Sequence, residues 1–410
     1  MKIVYAPILL GTAMLLACEA KPPAQPETAT PTEFAANFQE MLLDAKPGDV
    51  INIPEGVHAF DRSLSLTVDG VTLRGAGIDK SILSFKGQVA GAEGLLVTAS
   101  DFTLENMAIE DTIGDALKVS DGKNITLRAV RTEWTGGYKT SNGAYGMYPV
   151  QCENVLIEDS VAIGASDAGI YVGQSKNIIV RRNRAEYNVA GIEIENSVYA
   201  DVYENTATNN TGGILVFNMP NLPTPGHSTR VYNNDVYENN TKNFGHKGTP
   251  VASVPAGSGI VINSNDNVEI FDNVIKDNKT ANIIISSVFS TGYEDLDTDS
   301  DFDPYPEGIY IYGNTLEGGG NSPDGLDLKA LKVAMFGLNG ALPDVLWDGY
   351  IDSRKFVDGN PAETDRICLD NGDAGMLNAD GPGGYKNPQA TDKREHTCQL
   401  EKLAEVTFSE

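Results

Sequence analysis

AGIYVGQSKNIIVRRNRAEYN (168–188) is followed at once by AGIEIENSVYADVYENTATNN (190–210), and the two segments share one pattern. A third copy, GGILVFNMP…STRVYNNDVYENN, contains an inserted loop, and weaker or interrupted copies lie at 94–111, 115–133, 146–164, 258–278 and 281–285 joined to 307–317. In each copy, short alternating apolar runs are separated by Gly, Asn, Asp or Ser, which is typical of strands joined by turns. A repeat of about 21–23 residues indicates a solenoid, because units this small are stable only when stacked. The sequence therefore predicts an all-β fold, a single-stranded parallel β-helix with one coil per copy.

Stacking places equivalent residues of successive coils about 4.8 Å apart, so that each position forms a column. One predicted column contains Asn183, Asn205, Asn234, Asn273 and Asn314. Asparagine tolerates left-handed turns, and its amide can hydrogen-bond to the next coil, so a structural ladder is favoured over a catalytic role. A second predicted column contains Arg128, Glu158, Arg181, Tyr203, Tyr232, Phe271 and Tyr312. Such a column favours ion pairs followed by stacked rings, with a strip that holds sugar rings as the alternative.

The segments outside the repeat predict caps. Residues 33–46 have apolar residues at helical spacing, and a helix there would cover the first coil of a solenoid spanning 33–317. Residues 318–410 lose the repeat and are interpreted as an irregular carboxy-terminal cap. This cap contains Cys368 and Cys398, which are expected to form a disulfide in an oxidising compartment. Cys152 lies in a coil and is expected to be buried and unpaired. No spacing of Cys and His supports haem or structural zinc.

The amino terminus predicts export. Residues 1–17 contain Lys2 and an apolar run too short to span a membrane, as in a secretory signal peptide. The run ends in Leu-Leu-Ala-Cys, which resembles a bacterial lipobox and implies cleavage before Cys18 and lipidation of its sulfur. By resemblance to the enterobacterial sorting rule, Glu19 implies the outer membrane, so that the chain would face the periplasm or the cell surface. Residues 18–32 are rich in Pro, Ala and Thr and predict a flexible tether.

The charge restricts the class of ligand. The 410 residues have a formal net charge of −27, which argues against nucleic acid and against a basic membrane-binding surface. It also disfavours a strongly anionic polysaccharide, unless basic residues between 118 and 184 form a local patch. Several of those residues are expected to pair with glutamates instead.

Four insertions interrupt the coils, at 135–144, 218–229, 241–257 and 287–306. Two come just before, and two just after, the strand that begins GI or YG, so they would wall one sheet into a groove. Because loops carry function more often than scaffolds do, the groove is the predicted site. Its outward residues on consecutive coils are Lys118, Tyr148, Tyr171 and Glu193, with neighbours about 5 Å apart.

These four residues are the candidate catalytic set. A tyrosine or lysine with a lowered pKa can remove a proton next to a carboxylate, while an acid protonates the leaving oxygen. Such a site would suit polysaccharide β-elimination or uronate epimerisation. Alternatively, Glu193 and Glu195, about 7 Å apart on one strand, would fit an inverting glycosidase pair. The remaining alternative is a solvated face with sugar-friendly aromatic residues and no chemistry.

Further residues are candidates for binding. Glu195 and Phe217 lie further along the same strands, and His227 and His246 lie in insertions on opposite walls, with surface positions as the alternative for both histidines. Alternate carboxylates in YEDLDTDSDFDPYPEG suit a hard cation such as calcium, with an acidic surface loop as the alternative. These carboxylates belong to Asp295, Asp297, Asp299, Asp301 and Asp303.

The repeats, the cap helix and the lipobox together resemble right-handed parallel β-helix proteins, a group that includes polysaccharide lyases, mannuronan epimerases and NosD-like periplasmic proteins. Alginate epimerases have a YG-x-DPH segment with catalytic Asp and His. The corresponding residues here are Tyr145-Gly146-Met147-Tyr148-Pro149-Val150, so Tyr148 and Val150 replace that pair. The segments YGMYPVQCENV, NFGHKGTPVASVPAGSGI and DPYPEGIYIYGN resemble a family of lipid-anchored β-helix repeat proteins. That resemblance implies a periplasmic protein partner, such as a c-type cytochrome.

Three functions are consistent with these patterns. The leading hypothesis is a lipid-anchored protein that binds a polysaccharide or oligosaccharide along the walled sheet. The second is a polysaccharide lyase or epimerase, and the third is a non-catalytic scaffold for a periplasmic partner.

Overall fold

The computed structural model describes residues 32–291, 302–391 and 393–408. Across these residues the chain winds as a right-handed parallel β-helix, as the repeat and the family resemblance predict. Each coil contributes one strand to a first sheet, which we call the loop-side sheet because the insertions emerge at its ends. Its strands are Arg62–Leu66, Ala90–Val97, Asp115–Ser120, Met147–Val150, Ala168–Gly173, Ala190–Glu195, Gly212–Phe217, Ser258–Asn263, Ala281–Ser286, Val345–Trp347, Met376–Asn378 and the antiparallel Gln389–Ala390.

The rest of each coil forms a second sheet with two rows of strands, which we call the tail-side sheet because the carboxy-terminal tail lies on it. In the described residues its strands are Val50–Asn52, Gly56–Ala59, Thr72–Arg74, Ser81–Ser84, Thr103–Glu110, Lys123–Glu133, Glu153–Glu158, Val161–Ile163, Lys176–Arg181, Arg184–Glu186, Val198–Tyr203, Thr206–Thr208, His227–Tyr232, Asp235–Tyr237, Asp266–Phe271, Val274–Lys276, Ile309–Tyr312, Thr315–Glu317 and Ile367–Asp370. Inward residues of both sheets, such as Ile170, Val180 and Ala185, are fully buried. They form one continuous core.

Asparagine ladders join the coils at two turns. In the predicted ladder, the Asn183 amide donates to Asn205 Oδ1 at 3.0 Å, and the bonds continue through Asn234, Asn273 and Asn314. A second ladder at the next turn was not predicted and contains Asn188, Asn210, Asn239 and Asn278. Its signal is the Asn that closes each copy, as in EYN and TNN. These amides satisfy buried backbone groups where the strands stop.

The outward column of charges and rings also has the predicted register. Glu158 lies between Arg128 and Arg181, with N–O distances of 2.6 and 2.7 Å, so these arginines pair rather than forming a basic patch. Farther along, the rings of Tyr203, Tyr232, Phe271 and Tyr312 stack with centroids 4.8–5.0 Å apart. This spacing matches one coil, so the rings keep the strands in register.

A helix covers the first coil. It begins at Glu33, ends at Leu43, and buries Phe38 and Leu42 completely. The Thr32 hydroxyl accepts a hydrogen bond from the Ala35 amide at 3.1 Å and thereby caps the helix. Apart from Thr32, the predicted leader, Cys18 and the tether lie outside the described residues.

The far end differs from the predicted irregular cap. Strands Val345–Trp347 and Ile367–Asp370 continue both sheets beyond residue 317, because their apolar residues pair in register with the preceding coil. This segment also contains the helices Leu326–Phe336 and Lys393–His396 and the 3-10 turns Ser353–Lys355 and Glu363–Asp365; two further 3-10 turns are Pro250–Ser253 and Val288–Ser290. The predicted Cys368–Cys398 disulfide is confirmed, as is a buried, unpaired Cys152. None of the helices in the described ranges is both long and apolar enough to cross a membrane.

Candidate functional site

The outward column of the loop-side sheet has the neighbours that the repeat predicts. Lys118 pairs with Tyr148, and Tyr171 pairs with Glu193, which in turn pairs with Leu215. The register between Met147 and Ile170 places Tyr148 beside Tyr171. The candidate catalytic residues therefore share one face on consecutive coils.

Much of this face is covered rather than open. From Tyr171 onward, the outward residues form a second apolar cluster with Met219, Val251, Val254 and Val288 from the insertions. Tyr171 is 3% exposed, whereas Glu193 and Phe217 are each 2% exposed. The expectation of an open groove along the whole sheet is wrong, because Leu215, Val261 and Ile284 are apolar outward residues that the apolar insertions bury. Phe217 belongs to this cluster, so it does not present a binding surface.

Tyrosines mark the boundary between the covered and open stretches. The rings of Tyr145 and Tyr148 lie 4.5 Å apart, and those of Tyr145 and Tyr171 lie 4.6 Å apart. The Lys118 ammonium lies 5.1 Å from the centre of the Tyr148 ring, within cation–π range. Tyr148 and Lys118 are both half-buried, so they form the accessible rim of this group. Sequence reasoning identified Tyr148 and Lys118 as site residues but missed Tyr145, which lies two residues before the strand Met147–Val150.

Carboxyl groups lie beside these rings. Burial raises the pKa of Glu193, and the nearby Asp167 and Glu195 raise it further. Burial also raises the pKa of Glu195, although its Oε1 accepts a 2.7 Å hydrogen bond from the Tyr171 hydroxyl. Glu193 Oε2 is buried and accepts no hydrogen bond from the described residues. These groups therefore keep protons to a higher pH than ordinary carboxyl groups do.

Two further acids were missed by sequence reasoning. Burial raises the pKa of Asp115 to about 6, and Asp115 Oδ1 accepts a 3.1 Å hydrogen bond from the Tyr145 amide. Burial also raises the pKa of Asp167 well above its ordinary value. Both acids lie where a loop enters a loop-side strand, as in GDALKV and SDAGIYV, and this shared position is the available signal. We call the group of Lys118, Tyr145, Tyr148, Tyr171, Asp115, Asp167, Glu193 and Glu195 the tyrosine–carboxyl site.

The pKa values of Tyr148 and Tyr171 are raised, whereas a tyrosine that acts as a base needs a lowered pKa. Burial, followed by the charge of Asp115, raises the pKa of Tyr148 to about 12. Burial and Glu195 raise the pKa of Tyr171 well above its ordinary value. Both phenols therefore stay protonated, and the Tyr171 hydroxyl donates to Glu195, so the expected role of Tyr148 or Tyr171 as a proton-abstracting base is not supported.

The two candidate histidines lie on different kinds of element. His227 begins a strand of the tail-side sheet rather than lying in an insertion, and its ring packs edge-on against Tyr199 at 5.6 Å. The insertion ends at Gly226, and the next residue, His227, already pairs in register with Val198 of the preceding coil. His246 is in the 241–257 insertion, and its side chain is exposed.

Of the acidic loop, only Asp303 lies within the described residues; Asp295, Asp297, Asp299 and Asp301 lie outside them. Asp303 lies close to Asp266 and Glu307, in an arrangement that could hold a cation. The Lys355 ammonium already contacts Asp303 Oδ2 at 2.6 Å and Glu307 Oε2 at 2.5 Å. Calcium binding by this loop stays a prediction.

An open groove of about 660 Å³ lies along the turns that follow the loop-side strands. Its lining includes Gln151, Gln174 and Tyr199, and Pro223 of an insertion borders it. The residues of the tyrosine–carboxyl site do not line this groove. It is therefore a separate surface.

Comparisons with known proteins agree with the architecture. A family model described as a right handed beta helix region matches residues 66–221 and 138–316. The chain is similar to the A-module of the mannuronan C-5 epimerase AlgE4 of Azotobacter vinelandii, with 17% identity and a TM-score of 0.50 over 73% of this chain and 83% of that one. For the A-module of AlgE6 from the same organism, the identity is 17% and the TM-score 0.46 over 76% and 82% of the two chains. No curated protein matches the chain. Similarity at this level of identity shows the fold alone.

Proposed function

The chain belongs to the right-handed β-helix family, and we propose that it binds a neutral glycan at the tyrosine–carboxyl site. The observation that carries this proposal is the half-buried Tyr148 ring at the rim of a cluster of carboxyl groups. An aromatic ring with a polar edge suits the apolar face of a sugar, and carboxyl oxygens accept hydrogen bonds from sugar hydroxyls.

Electrostatics favour a neutral glycan over a uronate polymer. Asp115, whose pKa of about 6 leaves it ionised at neutral pH, lies in the site, and Lys118 is the cation beside Tyr148. The formal net charge of −27 adds a repulsive field for polyanions. A neutral glycan avoids this repulsion, since it brings no charge to the site.

Calorimetric titration of the full-length chain with neutral and uronate oligosaccharides tests the proposal. We expect binding of a neutral glycan that Tyr148→Ala weakens by about tenfold, equivalent to about 1.4 kcal/mol. Tyr385→Ala is the matched control, because Tyr385 is 55% exposed and lies in the carboxy-terminal segment. Exclusive binding of uronate polymers, or equal effects of the two substitutions, would contradict the proposal.

Glycoside hydrolysis is the second candidate function, and it is favoured by the raised pKa of Glu195, which is less buried than Glu193. A carboxyl group that keeps its proton near neutral pH can act as a general acid, as a hydrolase requires. Elimination and epimerisation are less favoured, since Tyr148 and Tyr171 stay protonated. Release of new reducing ends from a neutral glycan, abolished by Glu195→Gln, would support hydrolysis. Appearance of unsaturated uronates would instead support a lyase.

We also propose that Cys18 is lipidated and anchors the chain to the bacterial outer membrane. The Leu-Leu-Ala-Cys sequence and Glu19 support this proposal. Cys18→Ser should abolish labelling by radioactive palmitate and move the protein into the soluble periplasmic fraction. Unchanged labelling of this variant would refute the anchor.

A further inference from the structure

The groove along the turns that follow the loop-side strands has its own set of polar residues, and we call it the turn groove. One row of its lining residues continues the hydrogen-bond ladder between coils and contains Asp121, Gln151 and Gln174. A second row begins the tail-side strands and contains Lys123, Glu153 and Lys176. At the next coil the groove is bordered by Tyr199 and by Pro223 and Thr224 of an insertion. The turn groove therefore extends over three coils and meets an insertion at one end.

Gln151 and Gln174 line the groove with side-chain amides that have no partner. Neither amide makes a hydrogen bond to any residue that the structure describes. Asn196 follows them in the same column, and there the insertion covers it. Its Nδ2 donates to Met219 O and Thr224 O, both at 2.9 Å, and its Oδ1 accepts from the Met219 amide at 2.8 Å. This column therefore bonds to polar groups laid over it, and at the two glutamines its donors and acceptors are open to a ligand.

Tyr199 has a backbone conformation that large side chains rarely adopt. Its φ is 60°, in the left-handed region, and the residues before it in this column are Asn124, Asn154 and Asn177. Asparagine suits this conformation, and these amides form a ladder in which Asn177 Nδ2 donates to Asn154 Oδ1 at 3.0 Å. Tyrosine ends the ladder, and its side chain is 45% exposed beside the groove. Strained residues cluster where function requires a particular side chain.

The composition of the turn groove suits an uncharged sugar chain. Its two carboxylates and two ammonium groups sum to zero, and Lys123 pairs with Glu153 at 3.0 Å, so the groove attracts no ion of either sign. Sugar hydroxyls both donate and accept hydrogen bonds, as the glutamine amides do. The ring of Tyr199 offers an apolar surface with a polar tip. The other lining residues are mostly polar, which disfavours an apolar ligand.

We propose that the turn groove is a second glycan-binding site, which takes an uncharged oligosaccharide along the solenoid axis. Tyr199 packs against the apolar face of a sugar ring, and the amides of Gln151 and Gln174 bind hydroxyls farther along the oligosaccharide. No residue of the tyrosine–carboxyl site lines this groove. The proposal therefore does not rest on glycan binding at that site.

Calorimetric titration of the full-length chain with cello-, malto-, laminari- and mannohexaose tests the proposal. The test variant is Tyr199→Asn, which places in this coil the residue type of the three preceding coils. We expect it to weaken binding of at least one hexasaccharide by about tenfold or more, without lowering stability in urea. The matched control is Tyr187→Asn, which should leave that binding unchanged. Tyr187 has a φ of 59° and is 40% exposed, but it does not line the groove.

A second variant tests the groove independently of the strained position. Gln151→Ala/Gln174→Ala should weaken the same binding with an unchanged urea midpoint, because neither amide has a partner in the described part of the chain. Tyr148→Ala should weaken a different binding event, so a failure at either site can be distinguished from a failure at the other. Equal effects of Tyr199→Asn and Tyr187→Asn overturn the proposal. Unchanged binding by the glutamine variant, or binding of none of the four hexasaccharides, overturns it as well.

Discussion

The effect of substituting a buried polar residue on stability depends on whether its side chain is fully hydrogen-bonded. The Asn205 amide donates to Val180 O at 2.9 Å and to Asn234 Oδ1 at 3.0 Å, while its own oxygen accepts from the backbone amide of Asn183 at 3.0 Å. Glu193 is the opposite case, since one of its oxygens is buried without a partner among the described residues. Removing the first side chain and neutralising the second should therefore have opposite effects.

Asn205→Ala should lower the free energy of unfolding by about 2–4 kcal/mol, because it leaves buried amide and carbonyl groups unpaired. Urea denaturation measures this change. Asn37→Ala, on the exposed face of the first helix, should change stability by less than about 0.5 kcal/mol. Equal effects at the two positions would argue against the ladder.

Glu193→Gln should stabilise the fold increasingly as pH rises. The pKa of Glu193 is raised above its ordinary value of 4.5, so above that pH the unfolded state releases this proton first. The unmodified chain therefore loses stability as pH rises from 4.5 towards the folded pKa, whereas glutamine does not titrate. Each unit of raised pKa corresponds to about 1.4 kcal/mol. Urea denaturation at pH 4 and 8 measures the difference, with exposed Glu40→Gln as control. A difference that shrinks with pH would contradict the assigned burial.

The repeat pattern predicts the register of the candidate site residues but not their burial. The repeat period was enough to place Lys118, Tyr148, Tyr171 and Glu193 on adjacent strands. It did not show that Tyr171 and Glu193 are covered, because burial depends on how Val251 and Val288 in distant insertions fold back. The direction of the tyrosine pKa values depends on the same burial.

Two kinds of element close the open surfaces of the solenoid, a helix at its first coil and apolar insertions on its loop-side sheet. The helix was predictable because Phe34, Phe38 and Leu42 recur at helical spacing. The paths of the insertions were not predictable, since they have no regular period. In both cases buried apolar side chains hold the element in place. For the helix, the stability that this burial contributes can be measured by substituting a single residue.

Phe38→Ala should destabilise the chain by about 3–5 kcal/mol, because Phe38 is fully buried against the first coil. Met41→Ala, at a helix position that is 38% exposed, should cost less than about 1 kcal/mol. Urea denaturation compares the two variants. Similar losses would show that the helix does not seal the core.

Each coil of the whole molecule contacts mainly its neighbours, so stability is distributed along the axis. The period of the repeat was sufficient to predict this architecture. It was insufficient for the last coil, because the strands at Val345–Trp347 and Ile367–Asp370 are separated by long irregular segments. The far end is joined by the Cys368–Cys398 disulfide, and its effect should therefore be local.

Reduction of the disulfide should speed hydrogen exchange in residues 367–408 and leave strands Ala168–Gly173 and Ala190–Glu195 unchanged. The bond closes a separation of 30 residues, for which chain entropy predicts about 3–4 kcal/mol. Exchange mass spectrometry with and without reductant measures the effect. The Cys368→Ser/Cys398→Ser variant should reproduce it, and faster exchange in the central strands would contradict a local role.

Insertion residues cover Leu215 and Val261, so the open stretch of the loop-side sheet is closed at one end. A linear sugar polymer lying along the solenoid axis, over Leu96 and Lys118, would run into the buried tyrosine at 171. If a glycan binds at the proposed site, only the end of a polymer should reach Glu195, because an internal stretch would have to continue across the covered part of the sheet. The protein should therefore distinguish short oligomers with free ends from long or cyclic ones.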